Sequence, residues 1–239
     1  MVHKVKCVNC GNEGASLMVS GKLLCPRCSR NEVLHRVRKN MSKTGINLRK
    51  QSIIIAYPEF YKEVGELLSS MMTKLCLQCD LNIKNIITEN YNRINLTIRS
   101  LILRLNQEEE KIVVLPFTAD FFEAYLIYSS SELENSYLSL FSLVNRVGDK
   151  LFLLPLYNTP LTEMMGFSEL TGELKTGDEV FDAIFLWLHD SFKDNEVFHT
   201  FPPSIQVISS RFSRCKMCGA LIKDGEYCKL CSKEISPGH

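Results

Sequence analysis

All ten cysteines of this 239-residue chain fall in Cys-x-x-Cys pairs, and four of the five pairs lie near its two ends. A Cys-x-x-Cys in a tight turn directs two thiolates at one point, and a second pair further along completes the tetrahedral ligand set that Zn²⁺ prefers. Disulfides or core thiols are the alternative, but disulfide frameworks belong to short secreted chains, and the N-terminus does not resemble a signal peptide. The spacing therefore predicts two zinc ribbons, with the ligands Cys7, Cys10, Cys25 and Cys28 in the first and Cys215, Cys218, Cys228 and Cys231 in the second.

No stretch of the sequence reaches the roughly 18 uninterrupted apolar residues that a membrane span needs. We therefore expect a soluble, cytoplasmic protein that does not bind membranes. With 239 residues, 45% of them hydrophobic, the chain can bury one substantial core. We expect an N-terminal ribbon over 1–30, a basic linker over 31–50, an α/β domain over 51–210 and a C-terminal ribbon over 211–239.

The net charge of +1 hides a strong asymmetry along the chain. Residues 1–50 carry eleven Lys and Arg against two acids, residues 51–210 carry eleven against 22, and residues 211–239 carry six against three. A basic stripe beside a zinc ribbon suits phosphate backbones, although a solvated helix face is the alternative because aromatic residues for base stacking are missing nearby. The predicted RNA-binding residues are Arg30, Arg36, Arg38, Lys39, Lys43, Arg49 and Lys50.

Between the ribbons, continuous apolar runs alternate with segments of helical periodicity, which predicts an α/β fold with a parallel sheet and crossover helices. The predicted elements are strand 52–57, helix 59–75, strand 85–88, helix 94–105, strand 111–117, helix 120–128, strand 151–156 and helix 178–192. On the last helix we expect the core face to consist of Val180, Ile184, Trp187, Leu188 and Phe192.

This order of modules, closed by a ribbon of the form Cys-x-x-Cys-Gly…Cys-Lys-x-Cys, resembles the PP-loop tRNA 2-thiouridine synthetases. The resemblance covers nearly the whole chain and implies a Rossmann-like, PP-loop ATPase-type sheet. Enzymes of that family adenylate the C2 oxygen of a tRNA uridine and replace it with sulfur, often from a ubiquitin-like carrier protein.

The chain departs from that family at the nucleotide loop. The family has Ser-Gly-Gly-x-Asp-Ser after its first strand, where backbone amides wrap the pyrophosphate at a helix N-terminus. Proline removes an amide, glutamate adds negative charge and aromatic rings bring bulk where glycine permits close approach. We expect a degenerate loop that does not bind ATP, formed by Tyr57, Pro58, Glu59, Phe60, Tyr61 and Lys62.

Other polar residues of the family are also replaced. Its Gly-His-Asn-x-Asp-Asp block aligns with residues 115–120, which leaves Asp120 as a helix N-terminal charge and Glu123 as a surface carboxylate. We interpret His189 as a packed or surface residue. Catalytic members hold an iron–sulfur cluster with a Cys-x-x-Cys and one distant cysteine, whereas here only Cys76 and Cys79 lie outside the ribbons. We interpret that pair as packing or redox-sensitive, and expect two Zn²⁺ ions and no iron–sulfur cluster.

The resemblance thus implies a non-catalytic subunit of a tRNA 2-thiolation complex, similar to subunit 2 of the eukaryotic cytosolic thiouridylase. It implies that the chain binds tRNA and forms a heterodimer or higher assembly with a catalytic PP-loop paralogue. A ubiquitin-like sulfur carrier would be reached through that paralogue. A stand-alone zinc-ribbon protein that binds nucleic acid is one alternative. An ATP-dependent thiolase with a divergent loop is the other.

Overall fold

The computed structural model describes residues 5–75, 79–131, 133–192 and 202–235. The elements are, in chain order, β1 (Leu17–Val19), β2 (Lys22–Leu24), α1 (Pro26–Lys43), β3 (Ser52–Pro58), α2 (Lys62–Leu75), β4 (Asn82–Thr88), α3 (Ile94–Asn106), β5 (Ile112–Val114), α4 (Ala119–Ser129), β6 (Val144–Val147), β7 (Lys150–Leu153), α5 (Glu179–Ser191), α6 (Pro202–Ser209), β8 (Ser213–Arg214), β9 (Leu221–Ile222) and α7 (Lys229–Ile235). Among these residues, no helix is both long and apolar enough to cross a bilayer.

The central sheet has five strands in the order β4-β3-β5-β7-β6. Strands β3, β4, β5 and β7 are parallel, and β6 pairs antiparallel with β7 at one edge. Strand β3, which lies between β4 and β5, is buried along nearly its whole length, as its continuous apolar run predicts. The mostly parallel α/β fold is therefore confirmed.

The order of the strands fixes where a ligand site would lie. After β3 the chain adds β4 on one side of it, and β5 then pairs on its other side. In open α/β sheets, ligands bind outside the carboxyl ends of the strands at such a reversal of strand order. The switch-point crevice of this protein therefore lies beyond the ends of β3 and β5, between the segments 59–61 and 115–118.

Several strands differ from the sequence prediction: that predicted over 85–88 begins at Asn82, and that predicted over 151–156 ends at Leu153. The edge strand β6 was missed because four residues with alternating burial give little signal. The strand predicted over 111–117 ends at Val114, because Pro116 lacks the amide proton that a parallel ladder needs.

The expected core face of α5 is confirmed only in part, since Leu188 is buried and Ile184 and Phe192 are half-buried against the core. Val180 and Trp187 are exposed, and the helix packs on the core through Phe181, Phe185 and Leu188. Both sets have helical spacing, so the sequence offered two apolar stripes, and contact with α4 decided between them.

The two cysteine-rich ends attach to the domain differently. The β1–β2 hairpin has a small core of its own, which includes Cys7, Val19 and Leu24. In contrast, Cys218 and Leu221 of the C-terminal segment belong to the main hydrophobic core. The first end is thus a separate module carried by α1, while the second is part of the domain.

Candidate functional site

The N-terminal cysteines converge on one point because a knuckle, a hairpin and a helix start hold them. Gly11 has φ +73°, and its amide donates to the Cys7 carbonyl at 2.8 Å, which closes the first Cys-x-x-Cys turn. Cys25 is the N-cap of α1 and Cys28 lies in its first turn. The four sulfurs lie within 4.8 Å of one another, and those of Cys10 and Cys25 are 3.8 Å apart.

The C-terminal cysteines repeat this arrangement and are buried. Gly219, with φ +76°, donates its amide to the Cys215 carbonyl at 2.8 Å. The sulfurs of Cys218 and Cys228 are 3.7 Å apart, and all four lie within 4.8 Å of one another. A metal–sulfur bond of about 2.3 Å puts two ligands of a tetrahedral ion about 3.8 Å apart. Each set therefore has the spacing that one tetrahedral ion requires.

The surroundings of each set favour a thiolate. A hydrogen bond from the backbone of Cys25 lowers the pKa of Cys7 to about 6, and a hydrogen bond with the Cys218 thiol lowers the pKa of Cys215 to about 4. Burial raises the pKa of Cys28 to about 12. Crowded sulfurs hold negative charge poorly without a cation, so a bound metal would stabilise both sets.

A guanidinium supplies part of that positive charge at the second set. Nη2 of Arg99, on α3, lies 3.5 Å from Sγ of Cys231 and 2.7 Å from Oε2 of Glu234. The hydrogen bond of Tyr137 with Cys218 adds a further contact with the domain. Sequence reasoning missed Arg99, because more than 130 residues separate it from its partner.

Aromatic side chains fill the switch-point crevice. The ring of Tyr61 is fully buried and meets the ring of Phe117 edge-on at 5.3 Å between centroids. Phe117 stacks on Phe121 at 4.6 Å, and Phe60 stacks on the other side at 6.2 Å from Phe121. The rings named here are called the aromatic plug below. They fill the space beyond the carboxyl ends of β3 and β5, where open α/β sheets bind ligands.

The backbone of the predicted degenerate loop is also engaged by the protein itself. The amide of Phe60 donates to Oδ1 of Asn90 at 3.2 Å, so a side chain takes the place of an anion. Glu59 is exposed and pairs with Lys62 at 3.7 Å, and Glu63 accepts from the Thr171 amide at 2.8 Å. Of the other three loop residues, Tyr57 and Pro58 end the buried strand β3 and Lys62 begins α2.

Behind the aromatic plug lies a buried polar chain. Oδ1 of Asp120 accepts from the Thr118 hydroxyl, and Oδ2 lies 2.9 Å from Nε2 of His189. Asp120 lies in the first turn of α4, as expected of a helix N-terminal charge, and also accepts from the Phe121 amide at 3.1 Å. The link to His189 was missed because 69 residues separate the partners.

Glu123 does not lie on the surface, and the expectation of a surface carboxylate is wrong. Its side chain is buried against α5, and Oε2 has no hydrogen-bond partner among the described residues. Burial, with a smaller contribution from the charge of Asp120, raises the pKa of Glu123 to about 7.

The predicted RNA-binding residues divide into two groups. Arg30 and Arg36 turn toward the domain: Nη1 of Arg30 donates to the Gly166 carbonyl at 2.9 Å, and Nη1 of Arg36 pairs with Glu163 at 2.5 Å. The others are exposed, namely Arg38, Lys39, Lys43, Arg49 and Lys50. Arg27, which the sequence reasoning did not include, is exposed on the same helix.

Cys79 is buried and disulfide-bonded, so it is not a free thiol, whereas the eight ribbon cysteines are free. The other cysteine of this Cys-x-x-Cys pair, Cys76, lies outside the described residues, so the interpretation of the pair as packing or redox-sensitive stays a prediction.

No protein-family model matches the chain, and no curated protein matches it. Among solved structures, the U34-tRNA thiolase NcsA from Methanococcus maripaludis, determined with its 4Fe-4S cluster, matches with a TM-score of 0.65 and 14% identity. The match covers 100% of this chain and 98% of the thiolase chain. The chain has the fold of a tRNA thiolase. A likeness at this identity establishes the fold alone, here over the whole length of the chain.

The expectation of two Zn²⁺ ions and no iron–sulfur cluster is wrong in excluding the cluster. The thiolase of the same fold carries a 4Fe-4S cluster. This chain has two sets of four cysteines, the ligand type and number that such a cluster takes. The sequence reasoning looked for cluster ligands only outside the ribbons, and so overlooked the ribbons themselves. Both sets are therefore candidate metal centres, and elemental analysis for zinc, iron and sulfide identifies what each one binds.

Proposed function

We propose that this chain is a non-catalytic subunit of a tRNA 2-thiolation complex, in which it binds tRNA and docks on a catalytic PP-loop chain. The thiolase fold supports the connection with thiolation. The observation that carries the non-catalytic role is the aromatic plug, formed by Phe60, Tyr61, Phe117 and Phe121 in the switch-point crevice.

The plug is too well packed to give way to a nucleotide at low cost. Tyr61 and Phe121 are completely buried, and Phe117 nearly so. Removing one such ring from a core costs about 3–5 kcal/mol. ATP would have to displace several of them while gaining few backbone contacts for its phosphates, since the Phe60 amide already donates to Asn90 and Pro58 has no amide proton.

The RNA-binding role rests on the outward face of α1. This 18-residue helix, about 27 Å long, exposes Arg27, Arg38, Lys39 and Lys43. Within the described residues, none of the ion pairs involves these four side chains. When unpaired Lys and Arg side chains contact phosphates, they displace counterions from the nucleic acid. This release is a large part of the affinity for nucleic acids. The ion pair of Arg36 with Glu163 fixes this face on the domain.

Deletion of the gene, followed by mass spectrometry of tRNA nucleosides, tests the proposal. We expect 2-thiouridine to be lost, because the catalytic chain would lack its tRNA-binding partner. Unchanged 2-thiouridine together with intact RNA binding would favour a stand-alone RNA-binding protein instead. Calorimetry with ATP and magnesium tests the enzyme alternative, which requires binding heat that the proposal does not expect.

The RNA surface is tested with Arg38→Glu combined with Lys39→Glu. We expect weaker tRNA binding and a dependence of log affinity on log salt that is shallower by about 2, since each lost phosphate contact removes about 0.9. Lys62→Glu combined with Lys74→Glu makes the same change in net charge on α2 and serves as the control. Equal losses for both pairs would show that only net charge matters and would remove α1 from the proposal.

A further inference from the structure

Helix α5 has a second apolar stripe that the described residues leave largely exposed. Its buried stripe packs on the α4 side through Phe181, whose ring lies 5.1 Å from that of Phe121. The other stripe consists of Val180, Ala183, Ile184 and Trp187, at positions i, i+3, i+4 and i+7. This spacing is that of the anchors by which helices bind partners. These four residues are called the α5 stripe below.

Three of the four residues of the α5 stripe are exposed, whereas Ile184 is half-buried against the core. The ring of Trp187 meets the ring of Phe192 edge-on at 5.8 Å between centroids. Val180 is 62% exposed and Trp187 is 52% exposed, while Leu186 beside them is 63% exposed. Together with Glu179 the stripe lines a shallow groove of about 400 Å³. Scattered apolar residues on a surface need no explanation, but a contiguous patch that includes a half-exposed tryptophan indicates an interaction site.

The charges around the stripe restrict what can cover it. Helix α5 carries three acids and neither Lys nor Arg, and Glu179 and Asp190 are exposed beside the stripe. A symmetric dimer of this chain through α5 would bring these acids together. The basic helix α1 of a second copy does not fit either, because its exposed face lacks large apolar residues. An anionic membrane surface would repel the acids.

We infer that the α5 stripe is the docking surface for the catalytic chain of the proposed complex. The matching surface presents apolar side chains flanked by Lys or Arg, and Trp187 is the central anchor. This inference rests on the proposed function, which requires a catalytic partner but does not say where that partner binds. Apolar contact supplies most of the affinity, and the opposite charges speed association and select the partner.

Trp187 is the only tryptophan of the chain and therefore reports on its own environment. The full-length protein is titrated with the purified PP-loop thiolase of the same organism, and the Trp187 emission is obtained by subtracting a parallel titration of Trp187→Phe. We expect a blue shift and protection from acrylamide. Protection in the free chain would mean that the chain itself covers the stripe, which would overturn the inference.

Ala183→Glu places a charge in the centre of the stripe without removing a packed side chain. We expect it to weaken thiolase binding by at least about 30-fold, the effect of losing a binding hot spot of about 2 kcal/mol. Val207→Glu is the matched control, because Val207 is an apolar residue on α6 that is 62% exposed. Binding by the control is expected to stay within about twofold of the wild type.

The outcomes separate this inference from the proposed function. If the thiolase binds both variants equally, docking occurs elsewhere, and the inference fails while the proposed function stands. If sedimentation shows a concentration-dependent dimer that Ala183→Glu abolishes, the stripe serves a second copy and the inference is overturned. If Ala183→Glu abolishes thiolase binding but leaves tRNA binding intact, the inference is supported. Unchanged 2-thiouridine after gene deletion overturns the proposed function and this inference with it.

Discussion

The hydroxyl oxygen of Tyr61 lies 2.7 Å from Oγ1 of Thr118, across the crevice between the ends of β3 and β5. The Thr118 hydroxyl donates to Asp120, so the Tyr61 hydroxyl is the donor to Thr118. This contact joins two segments that are 57 residues apart and closes the edge of the sheet at which related folds bind ligands. The crevice is thus held shut by a hydrogen bond as well as by ring packing.

Tyr61→Phe is expected to lower the free energy of unfolding by about 1–2 kcal/mol, because the buried Thr118 hydroxyl loses its donor while the ring stays in place. Urea denaturation measures the change. Tyr91→Phe, at a tyrosine that is largely exposed, is the control and is expected to stay within about 0.5 kcal/mol. Equal stability of wild type and Tyr61→Phe would show that packing alone closes the crevice.

Gly65→Ala is expected to destabilise the protein, although alanine is normally better than glycine in a helix by about 0.5–1 kcal/mol. A Cβ atom at this position of α2 would overlap the buried ring of Tyr57, which has no free space to move into. Overpacking of this kind costs about 1–3 kcal/mol. Ser70→Ala, at an exposed position of the same helix, should gain a few tenths of a kcal/mol and shows the effect of propensity alone.

Glu163→Gln is expected to cost about 3–5 kcal/mol, because Arg36 would keep a nearly buried charge without its partner. The two side chains are 0% and 11% exposed, and Glu163 also accepts from the Ser20 amide at 2.8 Å. Thermal and urea unfolding measure the loss. Glu59→Gln is the control, since its pair with Lys62 is exposed at 3.7 Å and should contribute less than about 1 kcal/mol.

Glu123 is expected to make stability depend on pH in a defined window. Its folded-state pKa of about 7 lies above the ordinary value of 4.5, so its ionisation destabilises the fold progressively from about pH 4.5 to about pH 7. Glu123→Gln removes this cost, and its advantage over wild type should grow across the window to about 2–3 kcal/mol and stay constant above it. Parallel pH profiles for the two proteins would contradict a buried carboxylate.

The two metal centres are expected to respond differently to mutation. Cys218→Ser should lower the melting temperature of the whole protein, because Cys218 is part of the main core. Cys10→Ser should increase hydrogen exchange mainly in residues 5–25, since that end has a core of its own. Elemental analysis for zinc, iron and acid-labile sulfide identifies the metal in each variant.

Arg99→Met is expected to release the C-terminal centre from α3 without removing a ligand. The Cys231 sulfur and Glu234 would both lose their cationic partner. We expect increased hydrogen exchange in residues 229–235 while the metal content of the purified protein stays unchanged. Exchange at the level of the wild type would show that Tyr137 and the surrounding core suffice to hold this end.

Local patterns determined much of the fold. The cysteine spacing predicted both four-cysteine sets, because the two ligands of each Cys-x-x-Cys pair are only three residues apart in the sequence. The continuous apolar run of β3 and the periodicity of α2 also lie within short windows, so the sequence predicted their positions to within a few residues. Pro58 at the end of β3 and the aromatic residues that follow it lie in one short window too, and they predicted a loop unsuited to phosphate.

Only the tertiary structure decided which partners meet. It placed Phe181 rather than Trp187 in the core, because both stripes of α5 are apolar and contact with α4 selects one of them. It turned Arg36 inward onto Glu163, 127 residues away, and left Arg38 exposed, although both are arginines of the same basic run. It also buried Glu123 on α4, although the sequence suggested a surface carboxylate. Helical spacing fixes which residues share a face, but the burial of that face depends on surfaces that distant segments supply.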